Sequence, residues 1–402
     1  MATTTREILQ ELQSKGDAFY TFDRMELYRN VEEMFAAFEK RYRNFTLAYS
    51  FKTNYLADIC KSVKKYDVMA EVVSPYEYVY AKKLGFSDKE IIFNGVTPDP
   101  CLKALAAGNG CLVNVDNYHE LSRIVSAAEV MKRRIKVGLR VNFEITNGLN
   151  SRFGIDVNDG EELKKCVLLL NTNGYVRLAG LHCHIGSSRP AGYWLEKAAE
   201  MCVLAKKLGA GYIDLGGGMF GHMPDELARQ FDGYVGSFDT YAELICRCMN
   251  KFFPDESCEL ILEPGTALVG NTMSMMAMVT GIKTVRGKTH VTVNCNSNHL
   301  GVIADMKELP FRIYHTEKSE GSVHVEHATV GGNTCLEYDY LLRDFTGTIA
   351  IGDCIEFLNV GAYSIGSSRQ FIVPRPEVRD AKTMEVLRPA ETEEDMFRTY
   401  LA

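Results

Sequence analysis

The sequence predicts an α/β protein with a (β/α)8 barrel of the TIM type followed by a β-rich C-terminal domain. Eight short runs of strand-forming residues recur up to Gly265, and helix-like segments with apolar residues three and four positions apart separate them. After Gly265 this alternation stops, and strand patterns joined by glycine-containing turns replace it. An open, doubly wound sheet is the alternative for the first part, because a strand count alone does not prove closure.

The predicted barrel strands are residues 47–51, 68–73, 91–95, 112–116, 136–142, 178–186, 212–218 and 259–265. The segment "GYWLEKAAEMCVLAKKLGA" is typical of the helices between them. In the second part, "MVTGIKTVRGKTHVTVNCN" predicts two strands around a turn, and "SVHVEHATVGG" and "GDCIEFLNVG" predict further strands. We therefore expect a barrel over residues 36–275 and a β-rich domain over residues 276–402.

Composition and charge exclude several classes of function. The chain has 402 residues, of which 46% are hydrophobic and 24% charged, and its net charge of −7 gives no support for binding nucleic acid or an anionic membrane. No apolar run reaches membrane-spanning length, and the N-terminus lacks a signal-peptide core. The 12 cysteines have no regular spacing, which indicates reduced thiols in the cytoplasm. "CRC" and "HCH" lack a second pair at zinc spacing, so no metal is predicted.

Unusual residues occur where the predicted barrel strands end, and functional groups of such barrels gather at that edge. Lys52 is the one charged residue of "LAYSFKTNYL", and a lysine at the end of a buried strand needs a partner or a function. The others are Glu71, Arg140, His184, Gly216–Gly218 and Glu263. Each alone has an ordinary structural explanation. Together they bring a lysine, a histidine, a buried acid and a glycine-rich anion site to one barrel mouth.

This set of groups matches the needs of pyridoxal phosphate. The aldehyde needs a lysine for a Schiff base, which Lys52 can provide. The phosphate needs unhindered backbone N–H groups, which a glycine-rich turn supplies. An acid such as Glu263 can keep the pyridine nitrogen protonated, so that the ring accepts electrons. A flat group such as His184 can stack on the ring.

Several motifs resemble the fold-type III pyridoxal-phosphate decarboxylases, the group of diaminopimelate, ornithine and arginine decarboxylases. The resemblance covers nearly the whole chain and is closest to the diaminopimelate branch. It rests on "YSFKTN", "AEVVSPYEY", "SRFGI", "GLHCHIGSS", "DLGGGM" and "EPG" in the first part, and on "GGNTCLEYD" and "NVGAYS" in the second. This combination is far more specific than any single motif.

The resemblance implies roles for individual residues. Lys52 would carry the cofactor, His184 would stack on its ring, and Cys335 would be the catalytic cysteine. Glu263 would contact the pyridine nitrogen. The other residues implied to bind the cofactor are Glu71, Arg140, Ser187, Gly216, Gly217, Gly218, Gly265, Thr266 and Tyr363. Tyr363 would also lie near the substrate.

The resemblance also implies an alanine racemase-like two-domain plan and a homodimer. Active sites of the family form between the barrel of one subunit and the β domain of the other, so Cys335 would act across the interface. The N-terminal segment, residues 1–35, would join the β domain. The expected reaction is loss of the α-carboxylate as CO2 and return of a proton to Cα, with Cys335, water or Lys52 as the donor.

Two other functions share this plan. An alanine racemase would need a catalytic tyrosine in the β domain and lacks the "EPG" and "GGNTC" signatures. A regulatory homologue without activity would be expected to lose the lysine, the glycines or the cysteine, and all of these are present. Both motif comparisons favour the decarboxylase.

The substrate is where the sequence departs from the family. Thr266 follows "EPG" where the family has arginine, and Leu336 follows Cys335 where diamino-acid decarboxylases have an acid. We therefore expect a preferred substrate other than a free diamino acid, because a buried ammonium without a carboxylate is disfavoured. Arg140, Arg152 or Arg369 could pair with a substrate anion. The alternative is a classical diaminopimelate, ornithine or lysine decarboxylase in which Glu337 or Asp339 replaces the missing acid.

Overall fold

The structure is a computed structural model that describes residues 5–96, 99–146, 151–186, 189–317 and 319–401. Eight parallel strands form a closed barrel. Numbered in chain order, they are β2 (Phe45–Ser50), β3 (Met69–Val72), β4 (Ile91–Phe93), β5 (Leu112–Val115), β6 (Ile135–Asn142), β8 (Val176–His182), β9 (Tyr212–Asp214) and β10 (Glu259–Leu262). The two-residue strand β7 (Ile155–Asp156) pairs with β6. The pairing of β10 with β2 and of β5 with β6 closes the ring, so the open-sheet alternative is wrong.

Helices alternate with these strands. They are α2 (Arg24–Glu39), α3 (Ala57–Lys64), α4 (Pro75–Lys83), α5 (Pro100–Gly108), α6 (Tyr118–Val130), α7 (Glu161–Thr172), α8 (Ala191–Leu208), α9 (Asp225–Ala228), α10 (Phe238–Phe252) and α11 (Thr266–Val269). Local sequence explains their ends: Ser74 caps α4 through the N–H of Glu77, and α8 stops at Gly209, whose φ is +67°. In the described part of the chain, no helix is both long and apolar enough to span a membrane.

A second, nine-stranded sheet holds the C-terminal part of the chain. Its strands are β1 (Phe19–Phe22), β11 (Met273–Val285), β12 (Lys288–Val293), β13 (Phe311–Tyr314), β14 (Glu320–Gly331), β15 (Tyr340–Ile351), β16 (Cys354–Phe357), β17 (Val378–Asp380) and β18 (Val386–Arg388). The predicted turn between β11 and β12 is present, and Arg286 and Gly287 both have the positive φ that a two-residue hairpin turn requires. The barrel-plus-β-domain prediction is confirmed.

Short helical elements complete the fold. They are α1 (Thr5–Lys15), α12 (Ser297–Leu300), α13 (Glu393–Phe397) and the 3₁₀ turns Phe51–Thr53, Asp88–Glu90, Gly270–Thr272 and Val302–Asp305. The N-terminal strand β1 lies between β11 and β17, which places it in the second sheet. Helix α2 then continues past residue 35 and packs against α10. A boundary at residue 35 therefore cuts a helix, and the domain limits stay a prediction.

Three barrel strands end three or four residues earlier than their sequence patterns predict. The runs 178–186, 212–218 and 259–265 are strands only as far as His182, Asp214 and Leu262. In the second run the cause is the backbone, because Gly216 and Gly218 have φ values of +65° and +107°, which a strand does not use. The polar residues at the barrel mouth therefore lie in the segments just beyond the strands.

Candidate active site

Lys52 lies in the 3₁₀ turn that directly follows β2, and it has two polar partners. Its Nζ donates to Oε2 of Glu71 and to Oγ of Ser50, both at 2.7 Å. The Ser50 hydroxyl donates to the same Glu71 oxygen at 2.6 Å. Burial alone would lower the pKa of Lys52, but the nearby Glu71 carboxylate raises it to about 12. Lys52 is therefore a paired cation at the barrel mouth, which explains how this segment accommodates a lysine.

Glu263 follows β10 and is buried among hydrogen-bond donors. Its Oε1 accepts from Nδ2 of Asn94 at 2.5 Å, and Nε2 of His182 lies 3.3 Å from its Oε2. Burial acts to raise the pKa of Glu263, but contacts with His182 and Asp214 and the charge of Lys52 hold it well below its usual range. The site thus contains an ionised carboxylate shielded from water, which suits a cationic ring nitrogen.

Asp214, the last residue of β9, supports both Glu263 and the glycine turn. Its Oδ1 accepts a hydrogen bond from the N–H of Gly216 at 2.9 Å. Burial and the neighbouring Glu263 charge raise the pKa of Asp214 well above its usual range. Of the two acids, Asp214 is therefore the one that keeps a proton and Glu263 the one that carries the charge.

The glycine turn at residues 216–218 packs too closely for side chains. A Cβ on Gly217 would overlap the carbonyl oxygen of Glu263, and one on Gly216 would come within 2.8 Å of the His184 side chain. Gly265 is equally constrained, because a Cβ there would overlap the Thr53 hydroxyl. These glycines leave an open backbone cradle on the β9 and β10 side of the mouth.

His184 lies between this cradle and Lys52. Its Nδ1 accepts from the N–H of Gly217 at 3.1 Å, which fixes the ring orientation. Burial, with the charge of Lys52 acting in the same direction, lowers the pKa of His184 well below its usual range, so the ring is neutral. His182 and His184, considered above as a metal pair, have different partners: Glu263 for the first and the glycine turn for the second.

Two cavities meet at the barrel mouth, and Lys52, His184 and Glu263 line both. One, of 340 Å³, is also lined by Glu71, Val73, Asn94, Gly95, Val96, Arg140, Arg152, Phe153 and His182. The other, of 190 Å³, is also lined by Ser50, Thr53, Gly186, Arg189, Gly217, Gly218, Gly265, Thr266 and Tyr363. The second cavity has the glycine cradle and Arg189, whereas the first has Arg140, Arg152 and most of the apolar surface.

The residues present fit pyridoxal phosphate. The amine of Lys52 and the carboxylate of Glu263 face the same space, and the cradle that a Cβ would fill adjoins it. Among the predicted cofactor residues, Glu71, Arg140, Thr266 and Tyr363 also line this space. Ser187 falls outside the described residues.

Of the predicted residues of the β domain, Tyr363 lines the second cavity, whereas the four residues around Cys335 lie away from both cavities. Cys335, Leu336, Glu337 and Asp339 belong to the turn between β14 and β15, and none of them lines either cavity within the described residues. Cys335 and Glu337 are exposed, whereas Asp339 is buried and accepts from the N–H of Ser297 at 2.8 Å and the Thr334 hydroxyl at 2.6 Å. Arg369 is exposed and also lines neither cavity.

Sequence reasoning missed several buried polar residues of the site, among them Ser50, Asp214, Asn94 and Lys197. Asn94 contacts Glu263, and a polar residue in the apolar run "IIFNG" was the available signal. Lys197 on α8 donates to the carbonyl of Leu215 at 2.9 Å and lies 3.4 Å from the Trp194 ring centroid. Burial lowers the pKa of Lys197 to about 8. Its position three residues after Trp194 on the buried face of α8 was the only signal for it.

The chain is similar to several known proteins. A family model described as the pyridoxal binding domain of pyridoxal-dependent decarboxylases matches residues 28–270. The diaminopimelate decarboxylases of Methanocaldococcus jannaschii and Archaeoglobus fulgidus are each 27% identical to the chain; they cover 96% and 91% of it, and the chain covers 92% and 87% of them. A solved structure of diaminopimelate decarboxylase from M. jannaschii in complex with L-lysine has the same fold: its TM-score is 0.84 at 23% identity, over 98% of this chain and 94% of that one.

Proposed function

The chain belongs to the family of pyridoxal-dependent decarboxylases, and on that premise we propose which residues carry the reaction and which substrates it takes. The protein is an amino-acid carboxy-lyase with pyridoxal phosphate as its cofactor. Family membership decides against the racemase alternative. The observation that carries the residue assignment is the junction of two cavities at Lys52, His184 and Glu263.

Each group at this junction has a defined task in the proposal. Lys52 binds the cofactor covalently, and Glu71 keeps its amine in place through the 2.7 Å contact. Glu263 holds the ring nitrogen, and His184 packs against the ring. When bound, pyridoxal phosphate supplies the electron sink that allows the α-carboxylate to leave as CO2.

The phosphate end of the cofactor is assigned to the smaller cavity. Gly217, Gly218 and Gly265 line it with backbone that carries no side chain, and Thr266 begins α11 beside them. Tyr363 closes this cavity from the β domain, where its N–H donates to the carbonyl of Thr53 at 2.8 Å. The larger cavity then remains for the substrate.

We assign the return of the proton to Cα to Cys335 of the partner subunit. Within one chain, Cys335 is exposed and lines neither cavity of the described residues. A homodimer in which the 332–339 turn of one subunit covers the barrel mouth of the other would bring this thiol to the substrate. A cysteine thiol is one of the side chains that can act as a general acid. We also propose that the protein is located in the reducing cytoplasm. This location agrees with its twelve cysteines, which are all free thiols.

The proposed substrate is an amino acid whose distal end is not a free ammonium. Leu336 is apolar at the position after Cys335, and Asp339 is held by Ser297 and Thr334, so only Glu337 is free to act as a substitute acid. The larger cavity instead presents the guanidinium groups of Arg140 and Arg152. These cations favour a distal carboxylate or another anionic group.

A second candidate is decarboxylation of diaminopimelate itself. It is favoured by the relatives, which are diaminopimelate decarboxylases over nearly the whole length of this chain. It requires Glu337 to turn toward the substrate. This candidate and the first differ in whether an acid of the 332–339 turn has to bind an ammonium.

A CO2-release screen distinguishes the two candidates. The purified enzyme is supplied with basic, acidic, amidated and carrier-bound amino acids, with diaminopimelate included. We expect the highest kcat/KM for a substrate without a free distal ammonium. A kcat/KM of about 10⁴ M⁻¹s⁻¹ or more for a free diamino acid would establish the second candidate instead.

A separate experiment tests the cofactor assignment. Borohydride reduction fixes a lysine-bound cofactor, and peptide mapping then identifies the lysine. We expect the modification on Lys52 and on no other lysine. Modification elsewhere in wild-type enzyme would contradict the assignment.

A further inference from the structure

A chain of buried side-chain hydrogen bonds runs through the barrel interior to the active site. The hydroxyl of Tyr212 on β9 donates to Oδ1 of Asn114 on β5 at 2.6 Å. Nδ2 of Asn114 donates to Oδ1 of Asn94, just after β4, at 2.7 Å. Nδ2 of Asn94 then donates to Oε1 of Glu263 at 2.5 Å and to Oε1 of Glu71 at 3.2 Å. Asn94 and Asn114 are each 2% exposed.

The chemistry of the two carboxylates sets the direction of every bond in this chain. An ionised carboxylate only accepts, so Asn94 has to turn its NH2 group toward Glu263 and Glu71. Its carbonyl oxygen then faces Asn114, which has to present its own NH2 group. The oxygen of Asn114 consequently faces Tyr212, whose hydroxyl has to donate. The amide orientations therefore follow from the charge at the active site.

The strands around Tyr212 are built to admit its ring. A Cβ on Gly138 of β6 would overlap the Tyr212 hydroxyl, and a Cβ on Gly180 of β8 would overlap its ring. Glycine weakens a strand interior, so two glycines facing one side chain indicate that the barrel accommodates this tyrosine at a cost in stability. TIM-barrel interiors are mostly filled by branched apolar residues, and a polar column departs from that pattern.

We propose that Asn94 is a positioning residue that holds Glu263 and Glu71 in place as acceptors, and that Asn114 and Tyr212 fix its orientation. The proposal rests on the proposed function, in which Glu263 holds the ring nitrogen and Glu71 holds Lys52. Asn94 is the one residue that donates to both carboxylates among the described residues. It therefore couples the two ends of the site, the ring nitrogen and the covalent lysine.

Other charged or titratable groups also face these carboxylates and have to be held constant in a test. They are Lys52, Tyr55, Glu77, His182, Lys197, Tyr212 and Asp214. The substitutions below leave all of them in place except the Tyr212 hydroxyl. A pH effect that appears only in the variants is then due to the changed residue.

The first arm measures thermal unfolding of the cofactor-free Asn94→Asp variant at pH 8 and at pH 5.5. The new carboxyl group faces two carboxylates, which raises its folded-state pKa above its unfolded value. The destabilisation relative to wild type should therefore grow as pH rises, and Tm should fall further below wild type at pH 8 than at pH 5.5. A variant that folds at pH 5.5 but not at pH 8 would support the same bond direction.

An equal loss of Tm at the two pH values, or none at pH 8, would overturn the proposed bond direction. In the reverse direction, Asn94 accepts from protonated acids, and the substituted carboxylate would keep that acceptor. If the variant folds at neither pH, the second arm decides. Both outcomes of this arm are independent of whether Lys52 binds the cofactor, so they separate this proposal from the proposed function.

The second arm compares Tyr212→Phe with Tyr42→Phe by measuring the dissociation constant of pyridoxal phosphate. Tyr42 is the matched control, because its buried hydroxyl donates to the carbonyl of Cys258 at 2.5 Å and takes no part in the chain. We expect Tyr212→Phe to weaken cofactor binding by about three- to tenfold and Tyr42→Phe to change it by less than about twofold. Equal effects from the two variants would overturn a positioning role for Tyr212.

Discussion

The barrel mouth and the 332–339 turn differ in how completely a single chain fixes their functional side chains. At the mouth, Lys52, Glu71 and Glu263 are each held by at least two polar contacts, and the cavities around them are formed by described residues of the same chain. In the turn, Cys335 and Glu337 are exposed, whereas Asn333 and Asp339 are held by hydrogen bonds.

This difference separates two tasks of the enzyme. Binding of the cofactor needs an arrangement that is fixed before the cofactor arrives, and one barrel provides it. In the proposed mechanism, proton return uses a group that is presented outward, where another subunit can be reached. We infer that the mouth binds the cofactor and that the turn completes the site, by returning the proton and by contributing to the choice of substrate.

The largest expected effect comes from the mouth. Lys52→Ala removes the amine that binds the cofactor, so turnover should fall by about 10³-fold or more and the visible absorbance band should disappear. Lys64→Ala is the matched control, because Lys64 pairs with Glu90 at the surface of α3 at 2.7 Å. If the Lys52→Ala enzyme keeps the absorbance band, Lys52 is not the residue that binds the cofactor.

The next effect comes from the turn and concerns the substrate. Leu336→Asp supplies the acid that diamino-acid decarboxylases carry, and pairing a buried ammonium is worth about 3–5 kcal/mol, or roughly two to four decades in binding. We therefore expect kcat/KM for a free diamino acid to rise by up to this range. If instead wild type already uses a diamino acid well, Glu337→Gln should abolish that activity and Leu336→Asp should change little.

A smaller effect is expected from Lys197, which lies beneath the glycine turn. Its ammonium contacts the Leu215 carbonyl and the Trp194 ring, and it has no carboxylate within ion-pair distance among the described residues. Lys197→Met should weaken binding of pyridoxal phosphate by about tenfold and leave binding of pyridoxal, which lacks the phosphate, nearly unchanged.

Lys207→Met, at an exposed position of the same helix, is the control for this variant. A purely structural role for Lys197 would weaken the binding of both compounds equally. The ratio of the two dissociation constants is therefore the deciding quantity.

The fold and the chemistry of the mouth were predictable because their signals are local. Alternating runs marked the eight strands, and Lys52 and Glu263 are charged residues within apolar runs. The strand end at Asp214 was predicted too late, because a glycine-rich run does not show where its φ values become positive.

The polar column was not predictable, because Tyr212, Asn114 and Asn94 meet only once the barrel closes. Lys197 resembles a surface lysine in the sequence, and only the packing of α8 shows that it is buried. In the proposed shared site, the distance from Cys335 to a substrate depends on a second subunit, so neither the sequence nor one folded chain determines it.

Subunit mixing is the measurement that tests the division between mouth and turn most directly. Inactive Lys52→Ala and Cys335→Ala enzymes are mixed under conditions in which subunit exchange is confirmed by mass. If each site takes its lysine from one subunit and its cysteine from the other, half of the dimers are mixed and each has one intact site. Activity should then return to about a quarter of wild type. Exchange without any return of activity would contradict a site shared between subunits.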